Sequence, residues 1–394
     1  MANMLKLKTR LYQIFALYTV FSAVASSLSL TMPPERKILC VGLACLDTIA
    51  TIDEFPAPDS KVRSKSLHNY GGGNAANTAV AISRLGKLKV DLLTAVGNDS
   101  NGDNILKELE MENVGVNHVQ RYDGDSAWSY ILVANDTRTI IHQPASCEMS
   151  IDHVKAGINL EEYCAVHFDC RHPEAAVYLA QQCVDKGIPY SVDVERPRDG
   201  LLALMKGASI IISNADYSSL ALGLPPDTKD EREIICRFEK VLKKQAPNAA
   251  FGIMTRGAAG SYLIRSRTSF DDQSNLDNHD GMILLSKESN ASPRVEKRSS
   301  ALWCDVFSDC DVVDTTGAGD AFQGGFLSTL WSIVITGPSF AKIHNNDVIM
   351  AHVLRMSARV AARKNEKVGA REGLPSQEDD IIEEESRRLQ ALLE

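Results

Sequence analysis

The chain has 394 residues, of which 44% are hydrophobic and 24% charged, and this composition excludes collagen-like, mostly disordered and polytopic membrane proteins. The formal net charge of -9 argues against an extended nucleic-acid-binding surface, although an acidic chain can still bind a phosphate group through local backbone dipoles. Nine cysteines without a CxxC pair predict neither a zinc site nor a disulfide scaffold.

The N-terminal segment has the pattern of a targeting signal. It begins with three basic residues, Lys6, Lys8 and Arg10. An apolar stretch over 11–24 follows, and the segment Ala23 to Ala25 fits a small-x-small cleavage site. We expect residues 1–31 to be a leader into the secretory pathway or an organelle such as a plastid. There are two alternatives: the segment is a short membrane anchor, or translation starts at Met32 and the protein is cytoplasmic. No other segment has the roughly 18 apolar residues that span a bilayer, so the mature protein is predicted to lack a stable membrane span.

From Lys37 onward, apolar runs alternate with amphipathic segments. Asn74 is a candidate N-cap and Gly86 a C-terminal stop for the first helix. The predicted strands cover 38–43, 90–96, 165–169, 190–194, 209–213 and 251–255, and the predicted helices cover 74–86, 102–113, 173–186, 200–206 and 231–244. This alternation predicts an α/β fold with a parallel sheet covered on both faces, and ligands at the carboxyl ends of its strands.

Three regions depart from the alternation. The stretches 48–55 and 128–142 have no intervening helix, and they predict antiparallel strands of a small accessory sheet. The polar segment 265–305 predicts a mobile surface insertion. The acidic tail 377–394 predicts a solvated terminal helix.

The first chemical motif is GGGNAANTAVAISRLG at 71–86. Its glycines, which include Gly72 and Gly73, let the backbone pass close to a bound molecule. Asn74 and Asn77 are three positions apart on one helix face, where their amides suit a polyhydroxylated ligand. A plain helix N-terminus after a flexible turn is the alternative.

The second motif is DTTGAGDAFQGGF at 314–326. Gly317, Ala318 and Gly319 open a helix, and their free N–H groups form an anion hole for a phosphoryl group. We expect the helix dipole to keep Asp320 ionised, which suits a base that takes a proton from a hydroxyl. An acidic residue placed for helix stability is the alternative. Neither a GxxxxGK[ST] loop nor an HRD and DFG pair is present.

Together the two motifs resemble those of the ribokinase-like, or PfkB, carbohydrate kinases, and the resemblance extends from Lys37 to Ser376. SVDVERPR (191–198), MTRGAAGS (254–261) and GAREGLPS (369–376) are similar to ketohexokinase or ribokinase segments. The resemblance implies a kinase domain over 32–376, with a three-layer α/β/α core and lid strands at about 48–70 and 120–145. It also implies ATP-dependent phosphorylation of a hydroxyl of a free pentose or hexose.

The resemblance further implies a set of site residues. The sugar would contact Asp47, Asp59, Gly72, Gly73, Asn74 and Asn77. Catalysis would use Asp320 as the base, the anion hole at Gly317, Ala318 and Gly319, and the lid residue Arg138. ATP would contact Asn214, Thr255, Gly257 and Gly260, while Asp314 and Thr316 would bind a monovalent cation such as K⁺. Many members carry a glutamate three positions after the residue equivalent to Asn214; here Tyr217 takes that place, and Asp216 is the candidate to hold Mg²⁺ through water.

Two other functions remain open from the sequence. One is a nucleoside kinase of the same fold, in which Trp128 and Tyr130 of the lid would stack on a base. The other is a catalytically silent binding or scaffold protein, whose mark would be the loss of Asp320 or of the motif glycines. The implied partners are a small sugar and ATP, no nucleic acid, and a second copy of the chain that contacts the lid.

Overall fold

The fold was determined from a computed structural model that describes residues 37–134, 137–225, 228, 230–265, 283–285, 293–298 and 300–393. The predicted leader at 1–31 lies outside the described residues. No helix among the described residues is both long enough and apolar enough to cross a membrane.

Strands and helices alternate along most of the chain. The strands are β1 (Lys37–Val41), β2 (Cys45–Thr51), β3 (Ser66–Gly72), β4 (Lys89–Leu93), β5 (Ala95–Gly97), β6 (Gln120–Tyr122), β7 (Trp128–Ala134), β8 (Thr137–Gln143), β9 (Tyr163–Phe168), β10 (Tyr190–Val194), β11 (Ile210–Asn214), β12 (Phe251–Thr255), β13 (Ser261–Arg265), β14 (Ile283–Leu285), β15 (Val295–Arg298) and β16 (Ala301–Cys304). The helices are α1 (Asn74–Arg84), α2 (Ser100–Met111), α3 (Ile151–Gly157), α4 (Pro173–Lys186), α5 (Leu201–Gly207), α6 (Ala215–Leu222), α7 (Glu231–Gln245), α8 (Ala318–Thr336), α9 (Phe340–His344), α10 (Asp347–Lys364) and α11 (Asp380–Leu393).

The main sheet has the strand order β14-β15-β16-β13-β12-β11-β10-β9-β1-β4. The six strands from β12 to β4 are parallel, and the other four extend this sheet in antiparallel pairing. Side chains of β1 alternate between two hydrophobic clusters: Ile38 and Cys40 face one, and Leu39 and Val41 face the other. Each cluster also contains helix residues, so helices cover both faces. The predicted α/β/α core is confirmed.

A second sheet has the order β3-β2-β7-β8 and forms the predicted lid. The expectation of purely antiparallel strands was wrong, since β2 and β7 pair in parallel. Parallel neighbours need a long connection, and here the chain between β2 and β7 includes α1 and α2. The chain therefore leaves the main sheet for the lid twice, after β1 and after β4, and each time returns to the main sheet.

Two further predictions need correction. The strand expected over 90–96 is divided at Thr94, because the chain leaves the edge of the main sheet there and β5 pairs with β6. The segment 265–305 is not wholly a surface insertion: β15 and β16 are sheet strands, and Val295 and Leu302 are completely buried. Its residues 266–282 and 286–292 lie outside the described residues.

The tail forms the predicted helix, α11, but this helix is not simply solvated. Ile382 and Leu389 are buried, and the Glu385 carboxylate accepts a hydrogen bond from Arg355 Nε of α10 at 3.0 Å. Because only 1% and 4% of these two charged side chains are exposed, α11 is an integral part of the domain.

Helix α8 lies between α1 and α10, and two glycines permit the close packing. A Cβ atom at Gly324 would lie 2.4 Å from the Ala81 Cβ of α1, and one at Gly325 would lie 3.0 Å from Val360 Cγ2 of α10. The first turn of α8, which carries the second motif, is thus fixed relative to the first turn of α1, which carries the first motif.

Candidate active site

Both glycine motifs meet at the carboxyl ends of the parallel strands. Gly73, not Asn74, is the N-cap of α1; its φ is 95°, and a Cβ there would lie 2.3 Å from the Leu43 carbonyl oxygen. Gly317 is the N-cap of α8 with a φ of 74°, and a Cβ on it would lie 2.8 Å from Ala370 Cβ. At Gly319 a Cβ would meet no atom within 4 Å. The N-terminus of α8 therefore has open space next to its free N–H groups, as an anion site requires.

Asp320 is buried in the first turn of α8, and its carboxylate accepts a hydrogen bond from Asn77 Nδ2 at 2.8 Å. Burial raises the pKa of Asp320 well above its usual range, and the nearby Asp193, Glu195 and Asp169 carboxylates raise it further. The expectation that the helix dipole keeps Asp320 ionised was therefore incomplete, because burial outweighs the dipole and the Asn77 hydrogen bond. A raised pKa is a property of effective general bases.

Arg371, which the sequence analysis did not single out, holds Asn77 in place. Arg371 is 3% exposed, and its Nε donates to Asn77 Oδ1 at 2.9 Å. Its two Nη atoms donate to the Gly72 carbonyl and to Glu108 Oε1, each at 3.0 Å. Both ends of the Asn77 amide are thus engaged, which orients its NH₂ group toward Asp320. The only signal in the sequence was the position of Arg371 in the segment 369–376.

Two of the residues predicted to contact a sugar, Asp47 and Asp59, differ in their exposure to solvent. Asp47 is buried beside the first motif, and a Cβ at Gly72 would lie 2.2 Å from Asp47 Oδ2, so a side chain there would displace the Asp47 carboxylate. Burial raises the pKa of Asp47. Asp59, in contrast, is exposed between β2 and β3 with a φ of 60°. Contact of these residues with a sugar stays a prediction.

Asp193 is a further buried carboxylate, one that the sequence analysis did not assign. Asp193 accepts a hydrogen bond from Asn74 Nδ2 at 3.3 Å, just as Asp320 accepts one from Asn77 of the same motif. Burial, and then the neighbouring Glu195, raise the pKa of Asp193 to about 7. Mutually repelling carboxylates of this kind are stabilised by a cation.

A cavity of about 360 Å³ lies against the N-terminus of α8. Predicted ATP-binding residues line it, namely Thr255, Gly257 and Gly260, together with Ala318 and Gly319 of the second motif. Apolar side chains, Phe307 and Phe322 among them, complete its wall. A mostly apolar cavity that opens on an anion site suits a nucleotide, whose base is apolar and whose phosphates are charged.

Asn214 and Asp216 lie at the start of α6. Asn214 is the N-cap of α6: its Oδ1 accepts from Tyr217 N at 3.0 Å, and its Nδ2 donates to the Glu195 carbonyl at 3.1 Å. Asp216 is exposed in the first turn of α6. The structure thus gives Asn214 a role in fixing Glu195, whereas a role of Asp216 in holding Mg²⁺ stays a prediction.

The lid contacts the second motif through Arg138 of β8. Its Nη1 donates to Thr316 Oγ1 at 2.8 Å and lies 3.6 Å from Asp314 Oδ1. A buried cation, Lys364, reaches the same loop and donates to the Asp314 carbonyl oxygen at 2.6 Å. Burial lowers the pKa of Lys364 to about 8, so the ammonium is mainly protonated at pH 7. Two side-chain cations therefore lie against the loop before α8.

Comparison with known proteins agrees with this geometry. The sequence pattern of the family described as pfkB family carbohydrate kinase matches residues 35–273. A ketohexokinase of Mus musculus is 24% identical over 307 residues, which cover 75% of this chain and 89% of that protein. A nucleoside kinase of Methanothermobacter thermautotrophicus is 36% identical over 106 residues, which cover 27% of this chain and 30% of that protein. The structure of Arabidopsis thaliana ribokinase complexed with ribose and ATP covers 91% of this chain and 99% of its own, with a TM-score of 0.63 and 19% identity.

The fold and the matched pattern together define a phosphotransferase with an alcohol group as acceptor. More than half of the sequence fits one family pattern. The chain belongs to the pfkB family of carbohydrate kinases.

Proposed function

We propose that this protein transfers the γ-phosphoryl group of ATP to a hydroxyl of a free pentose or hexose. The observation that carries the proposal is the position of Asp320. This buried carboxylate lies in the first turn of α8, directly after Ala318 and Gly319, which line the nucleotide-sized cavity, and it is close enough to Asp193 for that carboxylate to raise its pKa. A base at this point can reach both a sugar hydroxyl and the terminal phosphate.

The chain's own groups account for the transfer. Asp320 accepts the proton of the attacking hydroxyl, and its raised pKa makes it a stronger base than an exposed carboxylate. The N–H groups that open α8 at Gly319 bind the phosphoryl oxygens, where charge is distributed in the transition state. Arg138 of the lid adds a positive charge at the same loop. Closure of the lid over the sugar excludes water, which limits hydrolysis of ATP.

The carboxylates Asp193 and Glu195 fit a divalent cation that accompanies ATP. Burial, and then repulsion by Glu195, raise the pKa of Asp193 to about 7, and a cation between protein and phosphates would relieve the repulsion. Mg²⁺ characteristically takes one or two protein carboxylates and completes its coordination with phosphate and water. When bound, Mg²⁺ would neutralise part of the charge on the phosphates.

The experiment is a measurement of ADP release by the purified full-length protein with a panel of free pentoses, hexoses and nucleosides. We expect one sugar to give a kcat/KM at least tenfold above that of every nucleoside, because the polar pocket residues suit hydroxyl groups. A nucleoside as the best substrate would support the second candidate, which the partial similarity to a nucleoside kinase favours. Binding of ATP without turnover of any acceptor would favour a silent binding protein.

A further inference from the structure

The resemblance to ribokinases implies that Asp314 and Thr316 bind a monovalent cation, but the oxygen atoms of Asp314 are already engaged by the protein. Its Oδ1 accepts from Thr316 N at 2.9 Å and from Thr316 Oγ1 at 2.7 Å. Its Oδ2 accepts from Gly369 N at 2.8 Å, and its carbonyl oxygen accepts from Lys364 Nζ at 2.6 Å. The oxygen atoms of Asp314 that would ligate a cation therefore already accept hydrogen bonds from N–H and O–H groups of the chain itself.

Lys364 is the unusual member of this set, because its side chain is completely buried. It is the last residue of α10, where the negative end of the helix dipole favours a positive charge. Asp314 and Asp320 attract its ammonium, whereas Arg138 repels it. Lysine is rarely buried unless its ammonium has a partner. Here the partner is the Asp314 carbonyl oxygen, 2.6 Å from Nζ.

A second cation at the same place would be repelled. An ion bound to Asp314 would lie within a few ångströms of the Lys364 ammonium, and like charges repel strongly in a partly dehydrated site. Arg138, only 3.6 Å from Asp314 Oδ1, adds to the repulsion. The residues present therefore do not fit a monovalent metal ion.

We infer that the Lys364 ammonium takes the place of the monovalent cation, so that nucleotide binding and phosphoryl transfer by this protein do not depend on K⁺ or a related ion. The statement about phosphoryl transfer rests on the proposed function. The statement that Lys364 replaces a cation in the loop is independent of it, because it concerns only the folded protein and its phosphate-binding segment.

The loop is also tied to α10 by its backbone, which explains how Lys364 would act on the phosphate site. The N–H groups of Val313 and Asp314 donate to the Asn365 carbonyl at 2.8 and 3.1 Å. Lys364 adds the charge-assisted bond from the preceding residue. The loop that ends at Gly317 is thus held by the end of α10, and the N–H groups of α8 are preorganised for an anion.

The first test uses the unaltered protein at pH 7 and constant ionic strength. ATP affinity by calorimetry, the thermal midpoint without ligand and, where a substrate is known, kcat are measured in KCl, NaCl and choline chloride. We expect each quantity to be the same in the three salts, within about twofold for the affinity and kcat, because the Lys364 ammonium already occupies the place of such an ion. A tenfold gain in ATP affinity, or a higher thermal midpoint, in KCl over choline chloride would overturn the inference.

The second test compares variants of Lys364. Lys364→Ala leaves space for a small cation, and we expect its ATP affinity in choline chloride to fall by on the order of tenfold, since a hydrogen bond from a charged group is lost. KCl or NH₄Cl should restore the affinity and raise the thermal midpoint. Lys364→Met fills the space without a charge and should not respond to either salt. The exposed Lys367→Ala is the matched control and should behave as the unaltered protein.

The outcomes separate the inference from the proposed function. Loss of affinity in Lys364→Ala with no response to K⁺ or NH₄⁺ would show that Lys364 has no cation-like role. If Lys364→Ala fails to fold in choline chloride but folds in NH₄Cl, the inference is supported. If no acceptor is phosphorylated while binding and thermal midpoint behave as expected, the proposed function fails and the role of Lys364 stands.

Discussion

Asn77 and Asp320 are 243 positions apart in the chain, yet the Asn77 side-chain amide donates to the Asp320 carboxylate at 2.8 Å. The bond joins the two glycine motifs. Arg371, in a third segment, donates to the other end of the same amide at 2.9 Å. Asp320, the predicted base, is therefore positioned by the neutral Asn77 amide and, through it, by the positively charged Arg371. Each of these two contacts can be removed separately.

The first prediction concerns the base itself. Asp320→Asn keeps the shape of the side chain but cannot accept a proton, so we expect kcat to fall by about 10²–10⁴ while ATP binding is retained. Steady-state kinetics with calorimetric ATP binding checks this outcome. Asp311→Asn, an exposed carboxylate nine residues earlier, is the control and should keep normal turnover. A normal kcat in folded Asp320→Asn would remove Asp320 from the mechanism.

The second prediction is a pH dependence. Transfer needs ionised Asp320, so kcat falls as the pH drops through its pKa, which burial raises. The Asn77 hydrogen bond lowers this pKa, because it stabilises the ionised form. Asn77→Ala should therefore move the acid limb of the kcat profile to higher pH. The exposed Asn345→Ala should leave the profile unchanged. A limb that moves to lower pH, or not at all, contradicts the assignment.

The third prediction tests Arg371 as a positioning residue. Arg371→Lys keeps the charge but loses the planar donor group that binds Asn77, Gly72 and Glu108 together. We expect kcat to fall by about ten- to a hundredfold, because Asn77 and Asp320 are displaced from their positions. The KM for ATP should be nearly unchanged, and the acid limb should move in the same direction as in Asn77→Ala. Arg387→Lys, on the exposed face of α11, is the control. A fall in stability without a shift of the profile would mean a structural role alone.

The fourth prediction concerns the tail helix. Glu385→Ala leaves the buried Arg355 guanidinium without its carboxylate, which should lower the free energy of unfolding by about 3–5 kcal/mol. The exposed Glu383→Ala on the same helix should change it by less than about 0.5 kcal/mol. Urea denaturation of both variants measures the difference. Equal, small effects would mean that α11 contributes little to the domain.

Much of the fold could be predicted from the sequence, because its signals are local. The alternation of apolar runs and amphipathic segments predicted the parallel sheet from β1 to β12, and the absence of helices around 48–55 and 128–142 predicted the lid. Gly73 and Gly317 marked two close approaches to neighbouring backbone that the structure contains. Each signal is contained within about one turn or strand, so no distant partner is needed to interpret it.

Other features could not be predicted, because they depend on partners far along the chain. Strands β15 and β16 lie in a polar segment, and their burial depends on the edge that β13 presents. The tail helix is acidic overall, and only the position of Arg355 makes Glu385 a buried residue.

The same division holds for the site. The sequence by itself determined the family motifs and the candidate base Asp320, since glycine spacing and a helix start specify an anion site locally. Only the tertiary structure decided that Arg371 reaches Asn77 across 294 positions and that Lys364 reaches Asp314 across 50. Side-chain charges act over a few ångströms of space, and the sequence does not state which distant residues folding brings within that range.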